Sequence, residues 1–269
     1  MSADEVSQKS TVDPPATLSV RAGKRLIGID AARGLALIGL MAIHLFPSED
    51  EVTHEPTLAW NLFSGDSAAL FALLAGVGLA LSSGGSAPHR GKRMAADRIG
   101  LAARAVVIGS IGLVISAIMP EDPAAYGILL YYAVFFLMAI PFLHLRPLML
   151  FLTAAAFSII APILRQLLGP VLPESSVWNH TVVNLVTEPL GTASELLLTG
   201  SYPALAYMSY LLVGLGLGRL DLRSIRVQGL IAGTGAALAV LANLASFLLL
   251  KVAGGYEALG HPGHDEQRS

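Results

Sequence analysis

Residues 25–44 read RLIGIDAARGLALIGLMAIH, an apolar run that holds Asp30, Arg33 and His44. A guanidinium in such a place can donate charge-assisted hydrogen bonds to a phosphate, an imidazole can take a proton from a hydroxyl or amine, and a carboxylate can orient either. A charge at the centre of a spanning helix costs roughly 2.5–3.5 kcal/mol on the insertion scale, so each needs compensation. In a helix turning about 100° per residue, Arg33 and His44 fall within about 20° of each other, some 16 Å apart along the axis. They share a face. Asp30 lies one turn before Arg33, where its carboxylate suits the positive helix N-terminus and can pair with the guanidinium. The pair alone reads equally well as a local interfacial ion pair, with Arg33 snorkelling to headgroups.

A second polar cluster follows in THEPTLAWNLFSGDSAALF, residues 53–71. It places His54, Trp60 and Asn61 ahead of the next apolar segment and Asp66 in that segment's first turn. Asp66 is either a helix N-terminal acid or the orienting partner of a histidine, and a carboxylate paired with imidazole makes a better general base. Trp60, Asn61 and His180, the last in VWNHTVVN, are candidates to line an acceptor site. The bland reading of His180 is a surface histidine on a long loop. Arg98 and Arg104 are placed to meet an anionic cofactor or headgroups. Asn243 is expected to bond a neighbouring helix.

The elements that must position these groups are membrane helices. The chain has 269 residues, 54% hydrophobic and 13% charged, against about 25% charged for a soluble domain. Its net charge of −2 gives no basic face for nucleic acid, and the absence of cysteine excludes disulfides, thiolate metal sites and a cysteine acyl-enzyme. Seven stretches approach the roughly 20 residues a span needs. They lie near 26–46, 63–83, 99–119, 126–143, 147–168, 201–219 and 229–252. The expected fold is an all-α integral membrane bundle of about seven transmembrane helices.

Basic residues collect on alternate flanks: Arg21, Lys24 and Arg25; Arg90, Lys92, Arg93 and Arg98; Arg146; then Arg219, Arg223 and Arg226. The other flanks are acidic, with Arg165 the exception. The positive-inside rule therefore predicts a cytoplasmic N-terminus and an external C-terminus in a cell membrane. Residues 1–24 read as a disordered tail, 25–253 as the transmembrane unit and 254–269 as a flexible C-terminal tail. His261 and His264 lack a third ligand, so no metal is expected.

GIDAARGLALIGLMAIH, the histidine-bearing loop after it and WNLFSGDSAALFALLAGVGLAL together resemble the heparan-α-glucosaminide N-acetyltransferase family, bacterial members most of all. LLLTGSYPALAYMSYLLVGLGLGRLDL, residues 196–222, is similar to a later helix of the same family. The Arg33-to-His44 spacing also resembles the Arg-x10-His signature of the membrane acyltransferase-3 family. The resemblance implies transfer of an acyl group, usually acetyl, from cytoplasmic acyl-CoA to a sugar or glycolipid acceptor on the far side of the bilayer. By the glucosaminide branch the catalytic histidine is His54; by the acyltransferase-3 branch it is His44. Members carry more spans than the seven legible here, so the unit is expected to be either a shortened form or a fragment of the family's bundle.

Combined, these readings put acetyl-CoA or another short acyl-CoA at Arg33, with Asp30, Arg98 and Arg104, and make His44 or His54 the base, oriented by Asp66. The thioester is already activated, so no metal is required. His44 is favoured as the neutral base by its apolar neighbours, while Glu51 and Glu55 hold His54 towards imidazolium. The rival class is a transporter or flippase using the same charges as a relay; the absence of internal repeats and of visibly broken helices argues against it. A third reading is a non-catalytic membrane partner subunit. Homo-oligomerisation is compatible with all three.

Overall fold

The computed structural model describes residues 27–50, 53, 55–119, 127–173, 175, 177 and 179–249, with Asp66 placed by its backbone. The expectations for the tails 1–24 and 254–269 and for His54 fall outside the described residues. Each of the seven apolar segments forms helix: α1 Ile27–Leu45, α2 Leu58–Phe63 leading into α3 Asp66–Ser82, α4 Lys92–Ile118, α5 Ile128–Ala139, α6 Pro147–Leu168, then α7 Val182–Thr187, α8 Pro189–Ser194, α9 Ala204–Gly218 and α10 Ile225–Phe247. The described residues contain no strand beyond an isolated bridge between Glu49 and Pro56. The protein is an all-α membrane bundle.

The count of spans differs from the sequence expectation. Among the described residues five helices are long and apolar enough to cross a bilayer, and a sixth crossing results if Pro189–Thr199 and Ala204–Gly218, bent by 46°, act as one broken span. α5 has only 12 residues, extended by one turn of 3-10 helix at Ile140–Phe142. Residues 169–201, read from sequence as an outer loop, are largely helical. Proline suggested loop there, but Pro189 sits at the first position of α8, where its missing N–H costs nothing. A π turn, Glu195–Thr199, follows and buries Leu196 and Leu198. The span Leu58–Ser82 is also interrupted: Gly65, at φ +76°, turns the chain between α2 and α3 in a conformation that favours glycine.

The core forms where α3 and α9 run side by side, with α6 and α5 packed on α9 and α4 on α5. Lipid supplies no hydrophobic drive between helices, so close contact depends on small residues. A Cβ added at Gly76 would fall 2.7 Å from the Leu215 nitrogen, and one at Gly214 2.7 Å from the Leu73 carbonyl carbon. The α3 and α9 backbones therefore touch. Gly214→Leu should force them apart and lower the thermal unfolding temperature in detergent by several degrees, as overpacking costs about 1–3 kcal/mol. An unchanged unfolding temperature would show that the crossing tolerates separation.

α1 packs antiparallel on α3 through the buried Ala36 and Gly39, the latter against Phe63 and Ser67. α10 buries none of its residues among the described ones, so its apolar surface faces outward all round.

Candidate active site

At one end of the bundle, where α3 and α9 finish and α4 begins, Arg219 turns inward and is 3% exposed. The turn Ser83–Gly85, with glycines at φ +105° and +58°, wraps carbonyls around its guanidinium. Nη1 donates to Ala80 O and Ser83 O at 3.2 Å and to Gly85 O at 2.9 Å; Nη2 donates to Ser83 Oγ at 2.9 Å and to Leu143 O. One side chain thus satisfies the open carbonyls at the end of α3 and ties α9 to the turn before α6. From sequence Arg219 was only a flanking charge, and no local pattern distinguishes an inward arginine from a snorkelling one.

Beside it lies a cavity of about 210 Å³, whose polar lining is Ser82, Ser83, Asp97 and Arg104. Asp97 pairs with His89 Nδ1 at 2.8 Å, and Arg98 Nη2 lies 3.2 Å from His144 Nδ1. Arg90, Lys92 and Arg93 are exposed around the start of α4. Of the expected donor-binding residues, Arg104 lines this cavity, while Arg98 is turned to His144. Arg33 lies on a different face of α3: its Nη2 would be 2.9 Å from a Cβ at Gly78, and its Nη1 is 3.8 Å from Asp30 Oδ1. Both Asp30 and Arg33 retain substantial exposure.

The opposite end of the bundle gathers the second set. His180 is 3% exposed, and its Nε2 lies 3.0 Å from Glu195 Oε2, a close contact although not aligned as a hydrogen bond. Its neighbours fix it. Asn179 Oδ1 accepts from Gly127 N at 2.6 Å, which pins the loop to the start of α5, and Thr181 forms a capping box with Asn184 at the start of α7. Glu195 Oε1 accepts from Ser175 N at 2.9 Å. Burial lowers the His180 pKa from the ordinary histidine value, with Glu195 and then Glu188 opposing the shift. The imidazole is therefore held towards its neutral form, and neither of its ring nitrogens has a hydrogen-bond partner among the described residues.

Among the described residues, His44, Trp60, Asn61 and the backbone of Asp66 stand at this same end. Antiparallel packing puts His44, near the end of α1, at the end of the bundle where Asp66 begins α3. His44 is exposed, which differs from the apolar enclosure expected for it. Trp60 and Asn61 are exposed on α2, Asn61 Nδ2 donating to Pro56 O at 3.1 Å. Asn243 Nδ2 donates to Ala239 O within α10 and reaches no neighbouring helix. The His180 and Glu195 pairing was not legible because two short helices separate the residues in the chain and no period relates them.

Fold and site define a polytopic helical membrane protein with a polar cavity bearing Arg104 and Asp97 at one end and a buried imidazole beside a half-buried carboxylate at the other. A family model described as heparan-alpha-glucosaminide N-acetyltransferase, catalytic, matches residues 25–248. The chain belongs to that family, whose members are membrane acetyltransferases. No curated protein and no solved structure matches it.

Proposed function

We propose that the protein moves an acetyl group from acetyl-CoA, bound at the Arg219 end, to an amine or hydroxyl of a sugar-bearing acceptor at the His180 end. The observation that carries this reading is the placing of the two polar sites at opposite ends of α4, whose 27 residues span about 40 Å. The Arg219 end suits a phosphate-bearing donor: Arg104 lines its cavity, and Arg90, Lys92 and Arg93 surround the mouth. Basic residues there also make it the cytoplasmic end, with the N-terminus inside. In the reaction the thioester arm of acetyl-CoA points up the bundle from the Arg219 end, and the acceptor nitrogen or oxygen reaching down from the other end attacks its carbonyl carbon. The new C–N or C–O bond forms, the C–S bond breaks, and CoA leaves as the thiol.

The proton from the acceptor goes to an imidazole. His180 is our choice, because it is neutral, buried and flanked by Glu195. His54 is the residue the family resemblance points to, and His44 with Asp66 completes the set at that end. Arg33, with Asp30, is proposed to meet the donor's phosphates from α1, and Trp60 and Asn61 to face the acceptor.

Protein in nanodiscs, given acetyl-labelled acetyl-CoA and a glucosamine-bearing acceptor, should pass label to the acceptor amine or hydroxyl. Arg104→Ala should raise KM for acetyl-CoA about tenfold with little change in kcat, the pattern of lost ground-state binding. Cysteines placed at Ser48 and Ser86 fix the sidedness, since an impermeant thiol reagent on intact cells should label position 48 alone. The bent pair Pro189–Thr199 and Ala204–Gly218 favours one rival, transport, because broken spans line substrate paths in transporters. Solute counterflow in proteoliposomes with no acetyl transfer would establish transport instead.

A further inference from the structure

We infer that the cleft between α6 and α9 at the His180 end is a binding site for a single-chain lipid phosphate, its head on Arg165 and its chain along α6. The cleft has a volume of about 320 Å³, within the range of small-ligand pockets, and its polar lining is Ser158, Arg165, Ser209 and Tyr210. Arg165 stands in the last turn of α6 and has no ion pair with a carboxylate among the described residues. An unpaired guanidinium at a span's end can be satisfied by snorkelling. Here it borders a concavity that offers further polar groups. Pro162 has no N–H, so the Ser158 carbonyl one turn earlier loses its helical donor on the wall of the same cleft.

The cleft continues into a groove of about 100 Å³ that shares Phe157 and Ala161 with it and adds Ala156, Ile160, Leu164 and Leu205. Thr153, the remaining polar residue there, spends its hydroxyl on Met149 O within α6 and leaves its methyl to the groove. A head-sized cleft with one cation beside a single apolar groove matches one phosphate with one chain. A two-chain phospholipid would leave its second chain unaccommodated. The neutral hydroxyls and the basic residue exclude a cationic head.

A row of ring contacts runs from the cleft towards the His180 and Glu195 pair. Tyr210 on its wall meets Tyr207 at 5.7 Å between ring centroids, Tyr207 meets Tyr202 at 5.8 Å, and Tyr202 meets Tyr131 at 5.6 Å. Leu198, another lining residue, shares the π turn with Glu195. A sugar carried on the lipid phosphate would lie at the outer end of this row, on Tyr210, which is 43% exposed. That the lipid carries the acetyl acceptor rests on the transferase reading; the binding site does not.

Protein in phosphatidylcholine nanodiscs is photolysed with a diazirine-bearing polyprenyl monophosphate and the adducts mapped. Adducts should fall in 153–165 and 203–210, and unlabelled polyprenyl phosphate should displace the probe at least tenfold better than the polyprenol without phosphate or than phosphatidylglycerol. Arg165→Gln should cut labelling about tenfold and Arg165→Lys far less, both with unchanged thermal unfolding. Equal labelling of Arg165→Gln, or equal displacement by phosphatidylglycerol, overturns the inference and marks ordinary annular lipid. Acetyl transfer separates the two claims. Arg165→Gln should lose transfer to a lipid-linked sugar while keeping transfer to soluble glucosamine. Intact binding with no transfer to either acceptor leaves the site standing and defeats the transferase reading.

Discussion

His180→Ala should reduce kcat for acetyl transfer by at least about 100-fold, the loss that follows removal of a general base. Glu195→Gln should do part of the same damage, because it keeps the shape and removes the charge beside Nε2. The pH profile distinguishes a base from a structural pin. Burial lowers the His180 pKa, so the acid limb of kcat/KM should lie below the ordinary histidine value of 6.5. Glu195 opposes that shift, so Glu195→Gln should move the limb further towards acid. The same titration bears on stability: the fold holds the neutral imidazole, so its contribution is full above the unfolded pKa and is lost as pH falls through the lower folded one. His44→Ala and His54→Ala complete the series. Should His54→Ala abolish transfer while His180→Ala leaves it intact with a stable fold, the base is the first-loop histidine and the 180–195 pair holds the loop in place.

Arg219→Ala should cost at least about 3 kcal/mol of stability, an effect of the size reserved for broken buried networks. The guanidinium donates to the carbonyls of Ala80, Ser83, Gly85 and Leu143 and to Ser83 Oγ; alanine leaves Ala80 O and Ser83 O with only the backbone N–H groups of Gly85, Ser83 and His89, and takes from Gly85 O and Leu143 O the donor that ties them to α9. Arg219→Lys should recover only part of the loss. An ammonium is a single point and cannot reach both the end of α3 and Leu143 as the planar fork does. Thermal unfolding of the three proteins in the same detergent provides the comparison. If Arg219→Ala unfolds within about a degree of the parent, the arginine is not the tie between α3, α9 and the turn before α6. Ser83→Ala offers a milder check, since it removes one acceptor from Nη2 and one donor to Leu79 O.

What the sequence determined by itself is what short-range physics decides. Every apolar stretch long enough to exclude water from its backbone became helix, because in lipid each N–H and C=O must be satisfied within its own segment. The face shared by Arg33 and His44 follows from helical pitch alone, and the block around Asp30 and Arg33 was specific enough to indicate the family. Boundaries were weaker where a rule had two outcomes. Pro189 could end a loop or begin a helix, and the 169–201 segment became helix because buried Leu196 and Leu198 dock it on the bundle. Tertiary structure alone decided which polar side chains turn inward. Arg219 and Arg223 look alike in the chain, yet one is buried among carbonyls and the other is exposed. His180 looked like a surface histidine, and it pairs with Glu195 only because the Asn179 anchor at Gly127 and the fold of α7 and α8 bring the two together. The Gly76 and Gly214 contact likewise joins helices far apart in sequence. Such meetings depend on which helices lie side by side, and hydropathy, being local, carries no information about that.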